Sequence, residues 1–226
     1  MHYVLHVIIP NFISTTEIPD VMETMLKPFD YDYNIQQHET ACFCVNRAAF
    51  LESRKEVEKE CGKTFEELKE EYFANEGVQT VPYRRYIRPY YVLVKEKMEM
   101  HPLYQKPDPD CSTCHGSGKV MIEANPNGKY DWYVIGGRWS GWLTEKKSND
   151  PYKDNIDDNV VSVQFAKEKA LKEERIPAAV LTPDGTWYDG YSYEELPFLD
   201  ENWKCKYLEI LGQYPDFKLV VVDCHG

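Results

Sequence analysis

His2–Ile9 reads HYVLHVII, and near the other end of the chain Phe217–Val222 reads FKLVVV, followed by Asp223, Cys224 and His225. In the first stretch Tyr3, Leu5, Val7 and Ile9 share one face while His2, Val4, His6 and Ile8 share the other, the period-two pattern of a strand. The second is a largely apolar strand. Two apolar strands at opposite ends, with helices and crossovers between them, predict an α+β fold in which helices cover one face of a mostly antiparallel sheet. A ferredoxin-like core is the specific expectation.

Working inward, Ile18–Phe29 reads as a short helix with Asp20 as cap and Pro28 as stop, and Tyr31–Ile35 as a short strand. From Asn46 to Ala74 the apolar residues Phe50, Val57, Cys61, Phe65, Leu68 and Tyr72 follow helical spacings. Gly62 interrupts the run, and Thr64 with Glu67 forms a capping box that starts a second helix. Tyr90–Lys95, YYVLVK, reads as a strand, as do Val120–Glu123 and Ala178–Leu181, the last leading into the turn TPDG. Ser162–Glu174 and Asp200–Gly212 read as helices, although VVSVQF could also begin as a strand. The proline-rich stretch His101–Asp110 is the clearest break. It divides the chain into an N-terminal α+β half with a helical hairpin insert, 1–100, and a C-terminal half, 101–226, unless the two form one composite domain. The charged stretch Glu145–Asp158 reads as a surface loop.

The 226 residues carry 38 acidic and 26 basic side chains, a formal charge of −12 that argues against a broad nucleic-acid-coating surface. No long apolar run or basic leader stands out, so a soluble, cytoplasmic protein is expected. Seven cysteines, two of them in a CxxC, point to thiols or metal ligands in a reducing compartment more than to a disulfide framework.

Cys111 and Cys114 in CSTCHGSG are spaced for one metal ion, with Gly116 and Gly118 permitting the tight backbone of a zinc knuckle. That supplies two ligands of a zinc tetrahedron, or three if His115 turns inward. Cys42 and Cys44 in CFC are the candidates to complete it, with His38 in reserve. The unliganded alternative is a plain turn or a redox pair. The CxxCH fragment also matches a haem attachment site, but nothing else in the chain supports haem.

DWYVIGGRWSGWL, Asp131–Leu143, packs Trp132, Tyr133, Trp139 and Trp142 around three glycines and Arg138. On a bend between rings, the guanidinium can hold a carboxylate or phosphate, with Trp132, Tyr133 and Trp139 as further contacts. The blander reading makes Gly136-Gly137 a hairpin turn, the tryptophans core and Arg138 a partner for Asp131. Asp223 and His225 lie two apart on the last strand. If the first strand is its neighbour, His6 or His2 faces them, giving a His, His, Asp cluster suited to a catalytic metal or to acid–base work. The alternative is a solvated chain end.

Cys111–Gly118 resembles one repeat of the zinc-binding domain of DnaJ-type chaperones, over eight residues only, so no chaperone activity is implied. The combination of this CxxCxGxG with DWYVIGGRWSG, with TPDGTW at Thr182–Trp187 and with VDCH at Val222–His225 resembles a family of functionally uncharacterised proteins of bacteria and their phages. That resemblance spans mainly residues 105–226 and implies no particular activity.

Three functions follow from these readings. The leading one is a zinc-stabilised adaptor that recognises a protein or an anionic ligand through the aromatic and arginine surface. The second is a small metal-dependent hydrolase or nucleotide-processing enzyme using Asp223, His225, Arg138 and Asp131. The third is single-stranded nucleic-acid binding through Tyr83, Arg84, Arg85, Tyr86, Arg88, Tyr90 and Tyr91, where cations and rings interleave.

Overall fold

A computed structural model describes residues 2–75, 83–146, 150–190 and 202–226, with side chains from residue 86 onward in the segment that begins at 83. The chain divides into two compact units, residues 1–36 with 124–226, and residues 37–123. The boundary expected near residue 100 therefore falls inside the second unit, which takes in both cysteine pairs.

Unit 1 is built on a mixed sheet. Its strands are β1 (His2–Ile9), β4 (Trp132–Ile135), β5 (Val160–Ser162), β6 (Ala179–Leu181), β7 (Trp187–Asp189) and β8 (Lys218–His225), ordered β4-β8-β1-β6-β7 with β5 also on β8. β1 and β8 pair antiparallel along their whole length, from His2 opposite His225 to Ile9 opposite Lys218. β1 runs parallel to β6, its direct neighbour. A ferredoxin-like split βαβ places another strand between its parallel pair, so the α+β class and mostly antiparallel pairing hold while that topology does not.

The sheet is covered on both faces, where the sequence pattern suggested one. Val4 and Ile8 of β1 and Leu219 and Val221 of β8 pack with Ala166 and Ala170 of α5 (Val163–Glu173) and Tyr207, Ile210 and Leu211 of α6 (Trp203–Gln213). Leu5, Val7 and Ile9 with Val220 and Val222 pack against Ile18, Met22 and Leu26 of α1 (Ile18–Leu26). The cause is legible in β1 and β8 themselves. Both are apolar on alternate residues of each face, and a strand with two apolar faces needs a layer on each. The predicted start of the last helix at Asp200 lies outside the described residues. Tyr31–Ile35 forms no strand.

Unit 2 holds a two-stranded sheet of β2 (Gln36–Ala41) and β3 (Lys119–Ala124) and three helices, α2 (Arg47–Cys61), α3 (Phe65–Ala74) and α4 (Tyr83–Met100). The Thr64–Glu67 capping box forms in full: Thr64 accepts from the Glu67 N–H, and the Glu67 carboxylate accepts from the Thr64 N–H at 2.7 Å. YYVLVK, read as a strand, is helical. Ile87, Tyr90, Val94 and Met98 are its buried residues, and their spacing of three, four and four is a helical stripe that outweighs the β propensity of the individual residues.

Candidate metal centre and sheet-end site

Cys42 and Cys44 follow the end of β2, and Cys111 and Cys114 lie in the turn that leads into β3, so the pairing of β2 with β3 brings the two thiol pairs together. The Cys42 N–H donates to the Gly118 carbonyl at 2.8 Å and joins the two turns. All four sulfurs lie within 4.8 Å of one another and all four residues are buried. Cys42 and Cys111 Sγ are 3.8 Å apart and Cys44 and Cys114 Sγ 3.4 Å, so the thiols are free rather than disulfide-bonded. Tetrahedral zinc with Zn–S bonds of about 2.3 Å places its sulfurs about 3.8 Å apart; the Cys42–Cys111 pair has that spacing, and the whole set lies within 4.8 Å.

Backbone N–H groups of Cys114 and Thr113 aim at Cys111 and, outweighing burial, hold its thiol down to about 6. Burial raises Cys44 to about 12. The Gly118 N–H donates to Cys114 Sγ at 3.3 Å. Four thiols clustered away from water would repel one another as thiolates, and a cation removes that penalty. The donor set therefore fits a metal ion. His115, the possible third ligand of the knuckle, is exposed and outside the cluster: its positive φ of 51° turns it out of the loop. His38 is also outside it. Among the described residues these four cysteines are the only group of three or more metal-type side chains whose ligand atoms converge.

In unit 1 the two other sequence motifs meet. β4 and β8 pair so that Trp132 lies opposite His225 and Val134 opposite Asp223, while β1 brings His2 opposite His225 from the other side. Asp223 is fully buried; its Oδ1 is 3.0 Å from His2 Nδ1 and its Oδ2 accepts from the Arg138 backbone N–H at 2.9 Å. His225 Nδ1 is 2.7 Å from Asp131 Oδ1. Burial works against ionisation of Asp131, but the hydrogen bond and charge of His225 outweigh it and hold this carboxyl below the usual range. The two imidazole centroids are 4.9 Å apart, and Trp132 stacks on His225 at 5.4 Å with an interplanar angle of 17°.

The Gly136-Gly137 pair is not a hairpin turn. It lets the chain leave β4 across buried polar side chains: Gly136 lies against Asn159, and a Cβ on Gly137 would sit 2.6 Å from Asp223 Cβ. Arg138 does not pair with Asp131. Its side chain is exposed, with no hydrogen bond or ion pair among the described residues. Trp139 and Trp142 pack on the α5–α6 side of the sheet, whereas Tyr133 packs on the α1 side, where burial raises its hydroxyl to about 12. His6 is a core residue, not a member of the cluster. It shares a 2.7 Å hydrogen bond with the Tyr207 hydroxyl, and burial lowers its pKa to about 3. Cys224 points into the α1-side core, and burial raises its thiol pKa.

Sequence reasoning missed the strap that supports this end. Asp154 Oδ1 accepts from the Ile135 N–H at 2.7 Å, and buried Asn159 accepts from the Gly141 N–H and donates to Ser140 Oγ and the Asn155 carbonyl. These residues come from or adjoin the stretch read as a surface loop, and no local pattern distinguishes them from solvated polar residues.

The rings at 86, 90 and 91 pack within unit 2. Tyr86 lies 5.2 Å from Tyr72, Tyr90 and Tyr91 pack on Phe65, and the Tyr90 hydroxyl donates to Glu58 at 3.2 Å. The side chains of Tyr83, Arg84 and Arg85 lie outside the described residues. No helix among the described residues is long and apolar enough to cross a membrane. Comparison with protein families, with curated proteins and with solved structures found no match for this chain.

Proposed function

We propose that the chain is a zinc-stabilised binding protein: the four-cysteine centre holds unit 2, and the sheet end of unit 1 recognises an anionic group, on a protein or a small ligand, through Arg138 and Trp132. The four-cysteine cluster carries this reading. Four thiolates fill a zinc tetrahedron and leave no open position for substrate or water, the arrangement of a structural rather than a catalytic metal. Cys42, Cys44, Cys111 and Cys114 would hold the ion, and its charge would keep all four as thiolates. At the sheet end, an exposed guanidinium lacking a partner among the described residues supports recognition of a carboxylate or phosphate. Trp139 and Tyr133, expected as further contacts, contribute packing. The motif set supports placing the protein among the bacterial and phage proteins it resembles, and a reducing compartment such as the cytoplasm suits four free thiols.

Elemental mass spectrometry on untagged protein tests the metal, and phosphate or carboxylate titration tests the surface. One zinc per chain, lost in Cys111→Ser and kept in Asp223→Asn, is expected, with anion binding weakened in Arg138→Ala. Protein purified without chelator that carries no metal would overturn the structural-zinc reading. Iron in its place would leave the centre but replace the ion.

A further inference from the structure

We infer that hydrogen peroxide converts the four-cysteine centre into two disulfides, Cys42–Cys111 and Cys44–Cys114, which release the ion and keep unit 2 folded in its place. The inference rests on the reading of the centre as a metal site and makes that site redox-sensitive.

Each sulfur touches one from the opposite turn: Cys42 and Cys111 Sγ are 3.8 Å apart, and Cys44 and Cys114 Sγ 3.4 Å. A disulfide bond is about 2.05 Å long, so either pair closes through a displacement of about 2 Å or less, with no exchange of partners. Neither pair lies within one motif. Both run between the turn after β2 and the turn before β3, which the β2–β3 pairing and the Cys42 N–H to Gly118 carbonyl bond hold together. Cys42 and Cys44 are 2% exposed, whereas Cys111 and Cys114 are 8% and 6% exposed. A small neutral oxidant therefore reaches Cys111 and Cys114 first, and each of these already touches its partner.

Metal-bound cysteine sulfur is thiolate, the nucleophilic form. The Cys114 sulfur bonds to one peroxide oxygen as the O–O bond breaks, and the departing hydroxide takes up a proton. The Cys44 sulfur then attacks the sulfenic acid so formed. The S–S bond forms as the S–O bond breaks, and the second hydroxide takes up a proton. Two thiolates have given two electrons to one peroxide, and two protons have gone into two waters. The two thiolates that remain are half of a zinc tetrahedron. A second peroxide joins Cys42 to Cys111 in the same way.

The oxidised centre is neutral, so it stays buried against Val120 with no cation to offset charge. Its bridges join residues 69 and 70 positions apart, with α2, α3 and α4 between them, and a cross-link over so long a loop restrains the unfolded chain. Oxidised unit 2 thus keeps its helices where chelated unit 2 loses them.

The test treats the full-length, zinc-bound protein with hydrogen peroxide and follows zinc release with a chromophoric chelator and helix content by circular dichroism. Remaining thiols are then blocked, and proteolysis without reduction precedes mass spectrometry. Expected are release of one zinc per chain, retained helix, and the segments bearing 42–44 and 111–114 recovered as one species that fragments as Cys42–Cys111 and Cys44–Cys114. Dithiothreitol with added zinc should restore the starting state. Cys61 and Cys205, the exposed thiols, lie outside the centre, so a Cys61→Ser, Cys205→Ser variant should release zinc at an unchanged rate. Protein purified without chelator that carries no zinc overturns the metal reading and this inference with it. Zinc that is bound but retained under peroxide overturns this inference alone, as do disulfides confined to Cys42–Cys44 and Cys111–Cys114, the crossed pairing, or loss of helix on oxidation.

Discussion

Replacing Gly137 by alanine isolates the close approach on which the sheet-end site depends. Gly137 has φ +50°, and an added Cβ would meet Asp223 at 2.6 Å from its Cβ and 2.7 Å from its Oδ2. Alanine in the left-handed region costs about 1 kcal/mol. The contact adds to this, because Asp223 must move, and moving it loosens its hydrogen bonds to His2 and to the Arg138 N–H. A buried charged group deprived of one such bond loses about 2 kcal/mol. The total is about 3 kcal/mol. Gly185, in the TPDG turn, supplies the control: its φ is +80°, but nothing lies within 4 Å of an added Cβ, so Gly185→Ala carries only the backbone term of about 1 kcal/mol. All five tryptophans, at 132, 139, 142, 187 and 203, lie in unit 1, so their emission in a urea titration follows that unit alone. With a slope of about 2 kcal/mol per molar urea, Gly137→Ala should unfold about 1 M earlier than Gly185→Ala. Coincident midpoints would refute the argument that Asp223 fills the space a side chain at 137 needs.

Removing the metal with a chelator should unfold unit 2, seen as loss of helical circular dichroism, while tryptophan emission keeps its native position; a shift in both signals would show that the centre supports more than its own unit. Thr64→Ala should destabilise unit 2 by about 1 kcal/mol through loss of the capping box, measured in the same dichroism melt. His6 is neutral in the folded state with a pKa of about 3 against about 6.5 when unfolded, so its contribution is fully present above pH 6.5 and declines as the pH falls toward 3. The expected slope is about 1.4 kcal/mol per pH unit at most, and His6→Gln should flatten the acid limb of unit 1 stability by that amount; an unchanged slope would mean His6 takes up its proton without unfolding.

Much of this architecture could be read locally. The alternation in His2–Ile9, the helical spacing through Asn46–Ala74, the box at Thr64–Glu67 and the turn at TPDG are all interactions between residues a few positions apart, and the strands, helices and cap they predict are present. YYVLVK failed for a related reason. Its six residues viewed alone favour a strand, whereas the decisive pattern runs from Ile87 to Met98 and shows only in a longer window. The parallel contact of β1 with β6 and the helix layer on the second face are choices among packings that satisfy the same local patterns equally well.

The candidate sites divide along the same line. Thiol chemistry alone singled out CFC and CSTC, because cysteines at chelating spacings are few and have few other uses; which way His115 points was set by the backbone of its turn, at φ 51°, and not by the spacing of the motif. DWYVIGGRW and VDCH were conspicuous separately, but their glycines, aspartates and histidine acquire a common purpose only when β4, β8 and β1 are laid side by side. By itself the sequence determined the α+β class, most of the elements and the residue types able to bind a metal or move a proton, because these follow from near-neighbour geometry and intrinsic chemistry. The tertiary structure alone decided that four cysteines converge, that Asp223 is buried behind His2 and that His6 is not part of the cluster, because each depends on which distant segments exclude water from the same space.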